Sequence, residues 1–370
     1  MRYNFVGKVE AKEDKYLREN KGGSVTLNLQ CVAAQNNRAF LEMFGMKRDT
    51  IQTFNTENEK IEIDWKDRED EDVVKQVANF RKYIITLNGK RHEYISEWDF
   101  IQFVVENIDE IRGKEFTITG QVQKNDYDGK ITDRFKIQNM YEVTEEKKHQ
   151  LRVSGEFFFS ADGVDTADWK KERKVIFNGY TREYMDKDHP NCYVPKTIIF
   201  DCSKLDFDNE SHIEILKLRL ELMGLEYDED EDKIKVALKK NTYYAQNVIL
   251  NYVNGAETVE FDESQLTPTQ LKMVKLGVKK AEDFRPAGQI FGERVQLYKL
   301  VDYDLRGTYQ DGLVKLNEKA KEFEENIYSQ IADESEDDLD ELPFSKKMNP
   351  PEEKKVKKQE DDIDESNLFD

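Results

Sequence analysis

FTITGQVQKNDYDGKITDRFKIQNMYEV, residues 116–143, is the stretch on which the fold turns. Two runs alternate apolar and polar side chains and meet at Asp128-Gly129, a pair that tolerates the positive φ angles of a tight hairpin. Just upstream, Ser96-Glu-Trp-Asp99 has the form of a capping box. Behind it Phe100, Ile101, Val104, Val105, Ile108 and Ile111 return to one helical face until Gly113 ends the pattern. Ahead of that helix, YNFVGKVEA, SVTLNLQCV and KIEIDW alternate with period two, and FRKYIITLNGK adds a β-branched run closed by Asn88-Gly89. With FRKYIITLNGK as an added run beside the three alternating ones, residues 1–148 read as β-β-β-α-β-β.

The order then comes again. LRVSGEFFFS, residues 151–160, carries a glycine inside an apolar strand, as NFVGKVEA and TITGQVQ do, where a bend or a close backbone approach is required. RKVIFNGYTREYM and KTIIFDCSKLDF follow as strands. Ser211-His-Ile-Glu214 then forms a second box, leading Ile213, Leu216, Leu220 and Met223 to Gly224, and AQNVILNYV resumes the strand pattern. This repetition supports two copies of one small unit, over 1–148 and 149–330. In the second, Thr267-Pro-Thr-Gln270 starts a short helix with proline at its first position, QIFGERVQLYKLVDY returns strands to the unit, and LVKLNEKAKEFEENIYSQI reads as a terminal helix. Residues 331–370 hold 15 acidic and 6 basic side chains without apolar period. Such a segment cannot offset its ordering entropy by burial and is expected to be a disordered tail.

A net charge of −20 ordinarily argues against a nucleic-acid partner, but part of it is segregated in that tail, and residues 1–150 hold 28 acidic and 25 basic side chains. No apolar run approaches the roughly 18 residues of a spanning helix. Three scattered cysteines suit a reducing compartment, so the expected location is the cytoplasm, that of the host cell if a phage encodes the chain. His189, Cys192, Cys202 and His212 have the residue types of a zinc set but not its spacing, and a packed or merely exposed role is the preferred reading. No phosphate loop, HExxH, CxxC or GxSxG signature is present, so neither an enzyme nor a cofactor is expected.

What the chain does contain is basic residues interleaved with aromatics on strands and their turns. In the first half these are Arg38, Phe40, Lys47 and Arg48, then Arg81, Lys82 and Tyr83, then Arg91 and Tyr94, then Lys124, Tyr127, Lys130 and Arg134. In the second they are Lys171, Lys174, Tyr180, Arg182 and Tyr184. Such a face suits single-stranded nucleic acid, because rings stack on exposed bases while cations follow the phosphates without reading sequence.

DDLDELPF, residues 337–344, resembles the acidic tip of bacterial and phage single-stranded DNA-binding proteins, in which clustered Asp precede an apolar residue, Pro and Phe. The body, with KNDYDGKITDRFKI, FDESQLTPTQ and FRPAGQIFGERV, is similar to the large tandem-OB single-stranded DNA-binding proteins of tailed phages. The resemblance implies a mainly β fold of two OB-fold-like barrels in tandem with short helical elements and an acidic tail. It also implies a non-catalytic coat for single-stranded DNA in phage replication, recombination and repair. Asp337, Asp338, Asp340, Leu342, Pro343 and Phe344 would then recruit replication and recombination proteins. Here the sequence departs from the bacterial pattern, since Phe344 is followed by SKKMNPPEEKK and the last residues, DDIDESNLFD, repeat the acid-then-apolar idea without Pro. A β-module scaffold or virion protein that works through protein contacts alone is the rival expectation.

Overall fold

In a computed structural model, the alternating runs become strands that close on themselves. Residues 1–328 are described, except 12–14, 21, 35–36, 128–129, 186, 188, 259–265, 277, 280–283, 285–290 and 317–319. The acidic tail, with Asp337, Asp338, Asp340, Leu342, Pro343 and Phe344, lies outside the described residues, as do the side chains of Tyr127 and Lys130. Strand Arg2–Glu10 turns Tyr3, Phe5 and Val9 inward and Arg2, Asn4 and Lys8 to solvent. It pairs antiparallel with Val25–Ala34, which pairs with Asn37–Gly45. Asn37–Gly45 then runs parallel beside Lys130–Glu142, matching Leu41 to Phe135. Lys130–Glu142 returns through the hairpin to Glu115–Tyr127, which closes on Arg2–Glu10. The result is a mainly β structure with a closed five-stranded barrel, filled from every strand by residues such as Phe5, Leu29, Leu41, Phe116 and Phe135.

Closure brings backbones together at two glycines. A Cβ added at Gly120 would sit 1.8 Å from the carbonyl oxygen of Lys136, and one at Gly7 would sit 2.3 Å from that of Val32. Both obstacles are main chain, so no rotamer change relieves them. Gly120→Ala is expected to cost about 3 kcal/mol, as overpacking against a fixed wall does, and to lower the urea midpoint with an unchanged slope. A midpoint equal to that of the wild type would show that the hairpin opens freely.

The helical segment forms where the sequence places it, as Glu97–Glu106 followed by a short turn, Ile108–Ile111. The Ser96 hydroxyl accepts from the Asp99 amide, Phe100, Ile101, Val104, Ile108 and Ile111 are buried, and Gly113 ends the segment at φ 81°. The third barrel strand differs from expectation. KIEIDW forms Lys60–Asp64, which pairs with Thr50–Phe54 in a separate two-stranded sheet and buries only Ile63. Asn37–Gly45 takes its place, because Ala39, Leu41 and Met43 all point into the core. Tyr83–Leu87 and Lys90–Tyr94 make the Asn88-Gly89 hairpin, and the first of them lies parallel to the end of Lys130–Glu142.

The second half repeats this order of pairing. Gln150–Ser160 contacts Lys174–Glu183, which pairs with Cys192–Asp201. Cys192–Asp201 touches Phe291–Tyr303 in parallel, Phe291–Tyr303 pairs with Tyr243–Thr258, and that strand pairs with Gln150–Ser160. Two of these links rest on one matched pair each, Phe158 with Tyr180 and Ile199 with Lys299. Helix Glu210–Glu221 lies between the third and fourth strands of this ring in chain order. Its cap is Asn209, whose side chain accepts from the Ser211 amide, so the helix starts before the expected Ser211 box. Thr267 and Gln270 do form a reciprocal box ahead of Pro268–Lys275. The terminal helix is shorter than expected, Ala320–Glu325, and Val314–Lys315 is instead a strand on Tyr243–Thr258.

The halves are joined by main chain and by charge. Residues 2–6 pair antiparallel with 150–154, one sheet runs through both rings, and residues 1–328 form one compact unit. Beside this seam the Asp133 carboxylate receives Lys124 and Lys196, each at 2.7 Å, with side chains only 5–7% exposed, and Tyr298 donates to it as well. Burial works against the Asp133 charge, but Lys196 and Lys124 more than reverse it and hold the carboxyl below its usual range. Burial pulls Lys196 down to about 7 despite Asp133 beside it. Cys192 and Cys202 are buried, and His212 accepts from the Asp206 amide. Among the described residues no three His, Cys, Asp or Glu side chains converge as a metal requires, and no helix is long and apolar enough to cross a membrane.

Candidate nucleic-acid interface

Because side chains alternate along a strand, the inward set of Asn37–Gly45 leaves Arg38, Phe40, Glu42 and Phe44 on the outer face of the barrel. Phe40 and Phe44 are 52% and 44% exposed. The neighbouring Lys130–Glu142 strand presents Arg134 and Lys136, which neutralise Glu42 at 3.8 and 2.7 Å. Phe80, 55% exposed, stands nearby with the Arg81 guanidinium 5.5 Å from its ring centroid. Phe44, Phe80, Arg81, Tyr83, Gln121, Gln123 and Lys136 line a recess of about 420 Å³.

That recess opens into others. Phe80, Arg81 and Gln121 also line a recess of about 650 Å³ with Arg2, Asn4 and Arg152, and Arg2 and Gln121 continue into one of about 1090 Å³ with Arg182, Tyr184 and Arg306. Shared walls make the three one groove, crossing the seam from the closed barrel to the second ring. Its polarity is uneven. Of the carboxylates on its walls, Glu97 is engaged by the Tyr83 hydroxyl at 2.6 Å, Glu156 by Tyr309 at 2.6 Å and Asp304 by Arg306 at 2.6 Å, while Glu183 faces the Met1 amino group at 3.9 Å. Arg2, Arg81 and Arg152 are exposed and have no ion pair among the described residues. A chain that is strongly anionic in total thus keeps unneutralised guanidinium groups along one groove, where focused potential favours a polyanion.

No protein-family model matches the sequence, and no curated protein matches it. Among solved structures, a deletion mutant of the single-stranded DNA binding protein from Thermus aquaticus aligns with 68% of this chain and 86% of its own, at 11% identity and a TM-score of 0.29.

The residues expected at the interface divide by what holds their side chains. Arg38, Phe40, Arg48 and Arg81 are exposed, and Lys47 lies over Trp98 at 4.9 Å. Tyr83 is half-buried in the groove wall, its hydroxyl pushed to high pKa by burial and by Glu97. Tyr94 instead packs on Phe100 and Phe103, and burial raises it to about 12. Lys82 is buried against Glu93 at 2.9 Å and Lys124 against Asp133, so both charges are spent inside the protein. Arg91 pairs with Glu93, and Lys171 and Lys174 with Glu172. Arg182 donates to the Tyr193 hydroxyl, Tyr184 is 61% exposed in the groove, and Tyr180 is covered by Phe323. Sequence reasoning passed over Arg2 and Arg152. The usable signal was a basic residue at the solvent-facing phase of an alternating strand, Arg2 in RYNFV and Arg152 in LRVSG.

Proposed function

We propose that this chain is a non-catalytic binder of single-stranded DNA, which lies along the groove with bases stacked on Phe44, Phe80 and Tyr184, and on Phe40 on the outer face of the strand that carries Phe44, and with phosphates on Arg2, Arg81 and Arg152. The observation that carries this reading is the combination, in one groove, of exposed rings at both ends with guanidinium groups that no carboxylate neutralises. Stacking platforms along a basic track are what sequence-tolerant single-strand binding needs. The closed circuit, with its one parallel pair and a helix between the third and fourth strands, has the plan of an OB barrel, whose second and third strands form the usual oligonucleotide face. We read the second ring, with the same circuit, as a second such barrel in tandem. A role in phage replication, recombination and repair, and recruitment of proteins by the acidic tail, rest on the resemblance of DDLDELPF and of the body to phage proteins.

Intrinsic fluorescence of the full chain, titrated with single-stranded, duplex and RNA oligomers, tests the reading. Single strands should quench at the lowest concentration, and deletion of residues 332–370 should tighten binding by removing a competing polyanion. No response to any oligomer at low salt would instead favour a protein scaffold, and magnesium-dependent shortening of the oligomer would point to a nuclease.

A further inference from the structure

The two rings differ in what covers their outer faces. On the closed barrel the third strand leaves Phe40 and Phe44 open, whereas on the second ring the third strand, Cys192–Asp201, points Tyr193 outward and Tyr193 is 3% exposed. Phe323 covers it. Phe158, Tyr180, Tyr193 and Tyr243 surround Phe323 in an apolar cluster separate from the main core. The Phe323 ring lies between two tyrosines, 3.8 Å and 22° from Tyr193 and 3.9 Å and 15° from Tyr243. Protein rings favour edge or offset contacts with centroids about 4.5–7 Å apart. Two faces clamped on one flat ring is the arrangement that suits a nucleobase. Of residues 321–326 only Phe323 is buried; the segment is tied by Tyr193 N to Asn326 O and Tyr328 N to Tyr193 O, both 2.9 Å, and by the Tyr328 hydroxyl to Asp126 at 2.8 Å. Glu322, Glu324 and Glu325 flank it, so a flat ring between anions occupies the site, as a base between phosphates would.

We propose that the slot between Tyr193 and Tyr243 is a second nucleobase site, which Phe323 fills when no nucleic acid is bound. The inference rests on the groove being the path of a single strand. Arg182 connects the two, because it lines the groove beside Tyr184 and also donates to the Tyr193 hydroxyl at 2.7 Å. An incoming base displaces Phe323, and the segment from Phe323 to Tyr328 is released with it.

The test compares the full-length wild type, Phe323→Ala and the double variant Tyr193→Ala with Phe323→Ala, by anisotropy of labelled oligo-dT. Phe323→Ala should bind at least about five-fold more tightly, the low end of what one stacked base contributes. The double variant should lose that gain. Equal or weaker binding by Phe323→Ala while the wild type binds would overturn the slot and leave the groove intact. A gain that survives in the double variant would also overturn it, and absence of binding by all three would remove both readings. Hydrogen exchange in the wild type gives a check independent of substitution: the Tyr328 amide should exchange faster when oligomer saturates the protein, and unchanged protection there contradicts displacement.

Discussion

Asp133→Asn is expected to lower folding stability by about 3–5 kcal/mol at about pH 5, the usual consequence of removing one member of a buried ionic cluster. The carboxylate faces two lysine side chains that are 5% and 6% exposed, so its loss leaves Lys124, and Lys196 where it is protonated, without a counter-charge beside the seam between the rings. The pH dependence has a definite sign. In the wild type Asp133 is held below its usual range, so its contribution is present above the ordinary carboxylate pKa and is lost as pH falls below it. In the variant Lys196 loses the carboxylate that raises it, so burial takes it further below its ordinary value of 10.5. Relative to the wild type the folded variant then sheds that proton at lower pH, so the variant gains on the wild type as pH rises toward about 7, and above it the two run in parallel. Urea unfolding at pH 3, 5 and 7 should therefore show the largest gap at about pH 5, between the carboxylate and lysine windows. Equal midpoints at pH 5 would mean that the cluster is solvated and carries no such load.

Replacing Phe40, Phe44 and Phe80 together by Ala should weaken binding of single-stranded DNA on the order of 100-fold, since each base stacked on a ring contributes about 1–3 kcal/mol and neighbouring contributions do not fully add. Their exposure, 44–55%, means that little folding energy depends on them. Exposed substitutions usually change stability by about 0.5 kcal/mol or less, so the melting curve should barely move. Unchanged affinity in a folded variant would remove the stacking platform from the outer face of the barrel.

Local chemistry was legible in the sequence, and long-range chemistry was not. The helix after Ser96 and the hairpins at Asn88-Gly89 and over 116–143 depend on caps, turn residues and period, all contained within a few residues. Asn37–Gly45 escaped notice as the third barrel strand because its outward phase carries Phe40 and Phe44, which blurs the alternation that marks a strand. The candidate site shows the same division. Lys124 looked available because it stands near Tyr127, but its partner, Asp133, comes from across the hairpin and shares a second lysine from the other half of the chain. Arg2 and Arg152 enter one groove because residue 4 pairs with residue 152, a register that no neighbouring residue announces. Phe323 is a single apolar residue among glutamates in the sequence, and the two tyrosines that flank its ring come from distant strands.

The most direct measurement is the salt dependence of oligo-dT binding by the wild type and by the triple variant Arg2→Ala, Arg81→Ala, Arg152→Ala. Each phosphate contact contributes about 0.7 to the slope of log K against log salt for single strands, so a groove that uses these three arginines predicts a variant slope shallower by about 2. Identical slopes for the two proteins, or no binding by the wild type at low salt, would contradict a single-stranded path across the seam.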